Sequence, residues 1–226
     1  MRVLLLPALL LLLLCTAREP LAAAQTYELL FRSTALKGLE AVPGGSEARQ
    51  TTLVYDRVVS GARTGEADGS FSIDLKIKPD GNVAMALHQG ERSRGLGTYP
   101  GSVGNPLIMY FLESVLADIA SQSGGSPYYL RNRVKEALLR DAKVMPVSLR
   151  HGNGDVAARK VTIRPLVNDK ARKQMGRFSE LALTVTVSEA IPGWYYSLVA
   201  TVPAASGGRE VGYSNAITFK AAGEER

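Results

Sequence analysis

The sequence predicts an α+β fold: a strongly curved, half-barrel-like antiparallel β-sheet with an inserted helical hairpin packed on one face. Two observations lead to this class. Apolar residues recur with period two through most of the chain, which is typical of strands with one buried and one solvated face. Only residues 105 to about 141 have long apolar stripes of helical period.

The first 24 residues have the composition of an export signal. Arg2 precedes an apolar run from Val3 to Leu14, and Ala22, Ala23 and Ala24 offer small side chains for cleavage. The run is about 12 residues long, whereas a membrane-spanning helix needs roughly 20. We therefore expect residues 1–24 to be a cleaved signal peptide and residues 25–226 to form a single α+β domain.

Cysteine usage and missing glycosylation patterns indicate the compartment. The one cysteine, Cys15, lies in the predicted signal peptide, so the remaining chain has no thiol for a disulfide or a metal site. No asparagine begins an Asn-x-Ser/Thr pattern. Both absences favour a bacterial periplasm. Because leucines precede Cys15, lipid attachment there is disfavoured and a soluble product is expected.

The predicted strands follow one another in hairpins. In the clearest hairpin, Phe71, Ile73, Leu75 and Ile77 share one face before a turn at residues 79–82. The partner strand continues through residues 83–87. Two more hairpins are predicted over 145–163 and 181–200, with turns at 151–155 and 191–193, and shorter strands at 27–32, 52–59 and 216–220.

The helical hairpin is predicted from its caps. Asn105-Pro106 and Ser126-Pro127 each place a capping side chain before a proline, and Gly124-Gly125 separates the two helices. A short helical turn is also possible near residues 168–174. The apolar stripe of the first helix comprises Ile108, Phe111, Leu112, Val115, Leu116 and Ile119, with Glu113, Ala117 and Asp118 outside it.

Cations border the apolar stripe of the second helix on both sides. The stripe is formed by Leu130, Val134, Ala137 and Leu138. A helix of this kind can lie at an anionic membrane surface, although a helix that packs across a sheet has the same pattern. The net charge of +6 adds a weak attraction to anionic surfaces. The candidate contacts to an anionic surface are Arg131, Arg133, Lys135 and Arg140.

Aromatic residues provide candidate ligand contacts. Tyr128 and Tyr129 begin the second helix, and on a regular strand Trp194 and Tyr196 would share one face. If the helix ends meet this strand, the aromatic side chains form a mouth suited to an apolar ligand. The candidate ligand-binding residues are Phe111, Tyr128, Tyr129, Trp194 and Tyr196.

The chain has no motif that fixes a reaction. His88 and His151 have no acidic or histidine neighbour at metal-ligand spacing, and no Gly-x-Ser-x-Gly pattern is complete. The glycine-rich residues 95–104 lack dinucleotide-loop spacing and are interpreted as a connection, or alternatively as a lid. We therefore predict no catalytic residue, no metal site, no cofactor and no enzymatic activity.

The expected shape is similar to that of the half-barrel-plus-helix lipoprotein carriers of the bacterial envelope, in architecture rather than in motif. The leading hypothesis is a soluble periplasmic binding or carrier protein that holds an apolar or lipid-like ligand between sheet and helices. The alternative is a structural or protein-interaction module of an envelope assembly, which would use an exposed strand edge or the aromatic patch. Membrane contact is expected to be peripheral at most, and no nucleic-acid partner is expected.

Overall fold

One antiparallel sheet of nine strands is the frame of the protein in the computed structural model. The structure describes residues 26–39, 50–62, 68–140, 142–204 and 212–225, so the predicted signal peptide lies outside the described residues. The sheet order is β4-β3-β2-β1-β9-β8-β7-β6-β5. The strands are β1 Gln50–Ser60, β2 Gly69–Ile77, β3 Asn82–Gln89, β4 Arg92–Pro100, β5 Lys143–His151, β6 Gly154–Ile163, β7 Ala182–Val187, β8 Tyr195–Val202 and β9 Tyr213–Glu225.

Four helices accompany the sheet in the described ranges. They are α1 at residues 26–30, α2 Leu107–Ser123, α3 Pro127–Arg140 and the single turn α4 Arg172–Met175. The long helices α2 and α3 form the predicted helical hairpin and pack on the inner face of the sheet. No helix within the described residues has the length and apolarity to cross a bilayer.

The sheet is open and strongly curved. Strand β6 pairs with β7 only from Arg159 to Ile163, so the outer parts of β5 and β6 continue as a two-stranded ribbon. At the end of β5, the ring of His151 lies 5.9 Å from the ring of Phe219 on β9, although three strands separate β5 from β9. The predicted curved α+β architecture is therefore confirmed.

The three predicted hairpins are confirmed, as are strands β1 and β9 and the helical turn α4. In the first hairpin, Ile77 pairs with Val83 and Leu75 with Met85. Both helical stripes are buried except for the half-buried Leu112, but one residue of α2 was wrongly placed. Asp118, predicted to lie outside the stripe, is only 7% exposed because its carboxylate accepts a hydrogen bond from Tyr213 on the sheet.

Residues 27–32 were predicted as a strand, and this prediction is wrong. Residues 26–30 form helix α1, and the amide of Phe31 donates to the carbonyl oxygen of Tyr27 at 2.8 Å. Leu29 and Leu30 are both buried, although they are adjacent in sequence. A strand would send adjacent side chains to opposite faces, whereas one helical turn can bury both.

The interpretation of residues 95–104 as a connection or lid is corrected as well. Most of this segment belongs to β4, which pairs with β3 along its whole length. The segment lacks an apolar period because β4 is an edge strand with most of its side chains exposed. A shift of register between Met85 and Ala86 accommodates an extra residue, so the glycine run contains a β-bulge.

Candidate functional site

A hollow lies where α1, the segment after it, and the turn between β7 and β8 meet. It consists of two adjoining parts of about 500 Å³ and about 750 Å³, both lined by Arg32, Thr34, Glu189 and Trp194. Ligand pockets in proteins commonly have volumes of roughly 300–1,000 Å³. We call this hollow the Trp194 groove.

Trp194 is held in a sparsely populated backbone conformation. Its φ of 80° makes it the one non-glycine residue with positive φ in the part of the chain that the structure describes. Its amide donates to Ile191 O at 2.9 Å, its carbonyl accepts from Ser188 N at 3.1 Å, and its indole Nε1 donates to Leu29 O at 2.8 Å. A conformation of this kind persists only where several contacts impose it, and such residues cluster at ligand-binding sites.

Two guanidinium groups lie over the Trp194 ring. The Arg32 guanidinium carbon is 4.2 Å from the ring centroid, and that of Arg159 is 5.9 Å away. Arg32 is positioned by an ion pair with Glu189 at 2.5 Å and by a hydrogen bond to Thr34 Oγ1 at 3.0 Å. Trp194 is only 4% exposed, so the wall of the groove presents positive charge that is backed by the buried aromatic ring.

The remaining walls of the Trp194 groove are partly apolar. Leu29 and Val144 line its larger part, and Leu39, Ile191 and Pro192 line its smaller part. This combination of partly apolar walls with cationic side chains suits a molecule that has an apolar body and an anionic group.

Asn105 connects the turn under Trp194 to the start of α2. Its side-chain Oδ1 accepts from the amide of Leu107 at 3.0 Å, which caps the helix, and its Nδ2 donates to Gly193 O at 2.9 Å. The same Nδ2 lies 3.4 Å from the hydroxyl of Tyr55, whose pKa is raised by complete burial. Sheet, helix and turn are therefore joined beneath the groove.

Phe111, a predicted ligand contact, is completely buried in the core. It lines an apolar cavity of about 10 Å³ between α1, α2, α3 and the sheet. That volume is about one water molecule's worth of space, far below the roughly 300 Å³ of a small ligand pocket. The interior at Phe111 is thus filled by side chains, and the roomy site is the Trp194 groove.

The helix tyrosines have contacts that differ from those of Trp194. Tyr128 is 68% exposed. The hydroxyl of Tyr129 donates to Asp169 Oδ1 at 2.6 Å, and this hydrogen bond is the main reason that the Tyr129 pKa is raised. In the described residues, Tyr129 and Trp194 share no hydrogen-bond or ring partner. Of the predicted ligand-binding residues, Trp194 is thus the one that lines the groove.

Trp194 and Tyr196 were predicted to share a strand face, and this is corrected. Strand β8 begins only at Tyr195, after Trp194. Thr186 pairs with Ser197 while Val187 pairs with Tyr195, so Tyr196 is the extra residue of a β-bulge. The alternation is broken there. Trp194 and Tyr195 are consequently both buried, and Tyr196 is half-buried.

Two of the four cations predicted to contact an anionic surface are paired with acids. Arg131 binds both carboxylate oxygens of Glu113, at 2.9 and 2.6 Å. Arg133 donates to Glu136 at 2.6 Å and lies 3.8 Å from Asp169. Lys135 is exposed, and the side chain of Arg140 lies outside the described residues.

A cluster on the outer face of β2 and β3 was missed. His88 Nε2 lies 3.1 Å from Asp74 Oδ2, and Ser72 Oγ donates to Asp74 Oδ1 at 3.4 Å. The hydroxyl is bonded to the carboxylate rather than to the imidazole, which is not the arrangement of a catalytic triad. The predicted hairpin register, which places Asp74 diagonally from His88, was the signal for this contact. Among the described residues, no three potential metal-ligating side chains converge.

Comparisons with known proteins give only distant likenesses. No family model matches the chain, and no curated protein matches it. A lipoprotein of Mycobacterium tuberculosis, LppX, is 11% identical over 89% of this chain and 94% of its own, with a TM-score of 0.34. A putative outer membrane lipoprotein-sorting protein domain from Vibrio parahaemolyticus is 8% identical over 90% of this chain and 93% of its own, with a TM-score of 0.23. At these scores neither likeness bears on function, which is argued from the site.

Proposed function

We propose that the protein is an exported, non-enzymatic binding or carrier protein for a lipid-like amphiphile, and that the ligand lies in the Trp194 groove. The observation that carries the proposal is the pair of guanidinium groups over Trp194 in a hollow of about 750 Å³ whose walls are partly apolar. The apolar body of the ligand would lie along Leu29 and Val144. Its anionic group would lie near Arg159.

The charge distribution favours a monoanionic group over a highly charged ligand. Glu189 is paired with Arg32, and Glu28 also lines the larger part of the groove. Two carboxylates therefore offset most of the positive charge, and Arg159 is an exposed cation beside the aromatic ring. A carboxylate or a single phosphodiester needs one such guanidinium partner.

Export is supported by the apolar segment at residues 3–14 and the small residues that follow it. The absence of cysteine after residue 15 and of Asn-x-Ser/Thr patterns supports a bacterial periplasm. N-terminal sequencing of the protein recovered from an envelope fraction tests this part. Cleavage after Ala24 is expected, and recovery of the uncleaved chain in the cytoplasm would contradict it.

The binding proposal is tested by fluorescence, because Trp194 is the one tryptophan of the chain. Titration with palmitate, an amphiphile with a single carboxylate, is expected to change Trp194 emission in a saturable way. Arg159→Gln should weaken this binding by about tenfold, the effect of losing one charge-assisted hydrogen bond. Arg150→Gln, at an exposed position near the end of the same hairpin, is the matched control and should bind like the wild type.

Two results would contradict the proposal. One is unchanged Trp194 emission with both palmitate and a lysophosphatidylglycerol. The other is equally strong palmitate binding by Arg159→Gln and Arg150→Gln. Native mass spectrometry of protein purified from the envelope gives an independent readout, since a carrier should retain a co-purifying amphiphile. A fixed protein partner recovered without any amphiphile would favour the alternative, an interaction module of an envelope assembly.

A further inference from the structure

Exposed apolar side chains surround the end of the helical hairpin at which α2 begins and α3 ends. Tyr27, Val103, Met109 and Leu139 are each 50–68% exposed. Single exposed apolar residues are ordinary, but a group at one place marks an interaction site. We call these four residues the hairpin-end patch.

The internal contacts of the hairpin bring these four residues to the same end. Phe31, Ile108 and Leu138 line one small cavity. Tyr27 stacks on Phe31 with ring centroids 4.8 Å apart. Met109 and Leu139 are the outward-facing sequence neighbours of Ile108 and Leu138, so they flank the same cavity on its outer side.

The register of the two helices agrees with this placement. The ion pair between Glu113 and Arg131 aligns α2 and α3 side by side in opposite directions. Eight residues beyond Arg131, about 12 Å along a helix, Leu139 lies level with the start of α2. Val103 precedes Gly104, whose backbone closely approaches the carbonyl oxygen of Arg32 in the segment after α1. The patch is therefore one surface formed by α1, the start of α2 and the end of α3.

Lysines accompany the hairpin-end patch. Lys135 lies one turn before Leu139, and Lys143 begins the strand after α3; both are exposed. Glu28 is the exposed acid on α1. Apolar side chains with lysines around them are typical of a surface that inserts shallowly into a bilayer while ammonium groups reach lipid phosphates.

We propose that the hairpin-end patch docks the protein peripherally on an anionic lipid bilayer. The larger part of the Trp194 groove is lined by Thr26 and Val144, next to Tyr27 of the patch, so docking would bring the groove opening close to the lipid. This docking proposal depends on the exposed residues of the patch and not on what the groove binds. It can therefore be tested independently of the proposed ligand.

Vesicle co-sedimentation tests the docking surface. Binding is expected for vesicles of phosphatidylglycerol mixed with phosphatidylethanolamine and should be weak for phosphatidylcholine vesicles. The double variant Met109→Ser, Leu139→Ser should lose about tenfold or more in partitioning, because it removes two apolar side chains that would insert into the bilayer. Tyr128→Ser is the matched control, since Tyr128 is 68% exposed but lies at the opposite end of α3, and it should bind like the wild type.

A charge variant separates the electrostatic contribution. Lys135→Glu with Lys143→Glu should reduce binding to anionic vesicles and leave the weak binding to phosphatidylcholine unchanged. All variants carry the same N-terminus, so any binding by residues 1–24 is equal across the series. Equal binding by the wild type and the Met109, Leu139 double variant would overturn the proposal, as would equal losses in that variant and in Tyr128→Ser.

Palmitate titration of the same variants distinguishes this proposal from the proposed function. If the groove binds palmitate in every variant while vesicle binding is lost only in the patch variants, both proposals hold. Vesicle binding without palmitate binding would support the docking surface and contradict the proposed carrier function. Crosslinking of the patch to one envelope protein, with no vesicle binding, would replace the bilayer by a protein partner.

Discussion

Arg57 shows how single residues join the sheet to the helical hairpin. This side chain is 1% exposed, and its Nε donates to Asn215 Oδ1 at 3.3 Å. Asn215 in turn donates from Nδ2 to Ser114 Oγ on α2 at 3.3 Å. One turn further along α2, Asp118 accepts from the hydroxyl of Tyr213 at 2.9 Å. These hydrogen bonds link the sheet to α2 across the boundary between the two layers.

Burial raises the pKa of Asp118, although the hydrogen bond from Tyr213 and the charge of Arg57 act in the opposite direction. The folded state therefore holds this proton more tightly than the unfolded chain does. Its contribution to stability is complete below the ordinary carboxyl pKa of about 3.9 and is lost as the pH rises through the raised folded value.

The prediction concerns Asp118→Asn, which removes this titration. We expect the free energy of unfolding of the wild type, measured relative to the variant, to decrease as the pH rises from about 4 to 7. Urea unfolding of both proteins at a series of pH values measures the difference. A difference that is constant with pH, or one that increases as the pH rises, would show that the Asp118 pKa is not raised.

Residue by residue, polar positions were the hardest to place from the sequence. Asp118 was assigned to the solvated side because a carboxylate beside an apolar stripe usually is solvated. Its partner Tyr213 is separated from it by 95 positions, so no local pattern could pair them. Trp194 was recognised as a ligand candidate by residue type alone, whereas Arg32 and Arg159, which lie over its ring, come from distant segments.

At the scale of elements, the turn between β7 and β8 depends on Gly193. Its φ is +78°, and a Cβ added there would lie 2.4 Å from Leu53 Cδ1 and 3.1 Å from Asn105 Nδ2. Glycine is therefore required both for the backbone conformation and for the close approach of the sheet and the α2 cap.

Gly193→Ala is expected to destabilise the protein by about 2–4 kcal/mol, from the backbone strain together with the displacement of buried groups. Gly152→Ala is the matched control, because Gly152 has a φ of +57° but nothing within 4 Å of its added Cβ. Its cost should be about 1–2 kcal/mol, from the backbone alone. Thermal or urea unfolding measures both variants, and similar losses in the two would mean that the contacts of Gly193 are unimportant.

Elements with a regular apolar period were predictable, and those without one were not. The hairpin of β2 and β3 has one buried and one half-exposed face, so its alternation is visible in the sequence. Strand β4 is held by backbone hydrogen bonds at an exposed edge and leaves no such pattern. Helix α1 is a single turn whose position is set by Trp194 and Tyr195, which donate to the carbonyl groups of Leu29 and Leu30.

Considered as a whole molecule, the sheet consists of two series of sequential neighbours, β1 to β4 and β5 to β9. They meet only where β1 pairs with β9. Every other strand pair joins neighbours in sequence order, whereas the β1–β9 pair joins residues such as Val59 and Asn215. Pairing β1 with β9 closes a loop that contains all the other strands, and this costs more conformational entropy than forming a hairpin. We therefore expect the β1–β9 pairing to form late in folding.

The kinetic prediction compares Ile217→Val in β9 with Ile73→Val in β2. Both side chains are completely buried, and each substitution should cost about 1 kcal/mol. We expect the loss at Ile217 to appear mainly as faster unfolding and the loss at Ile73 to appear more in slower folding. Stopped-flow measurements over a range of denaturant test this, and the reverse partition would mean that the β1–β9 pairing forms first.

The helical hairpin connects the two outer strands of the sheet, since the chain passes from β4 through α2 and α3 to β5. The two halves of the molecule thus remain covalently tethered when β1 separates from β9. In such a tethered chain the separated strands keep a high effective concentration for each other, and re-pairing is an intramolecular event. An opened molecule can therefore close on itself before its exposed strand edges meet those of another molecule, which protects the protein against aggregation.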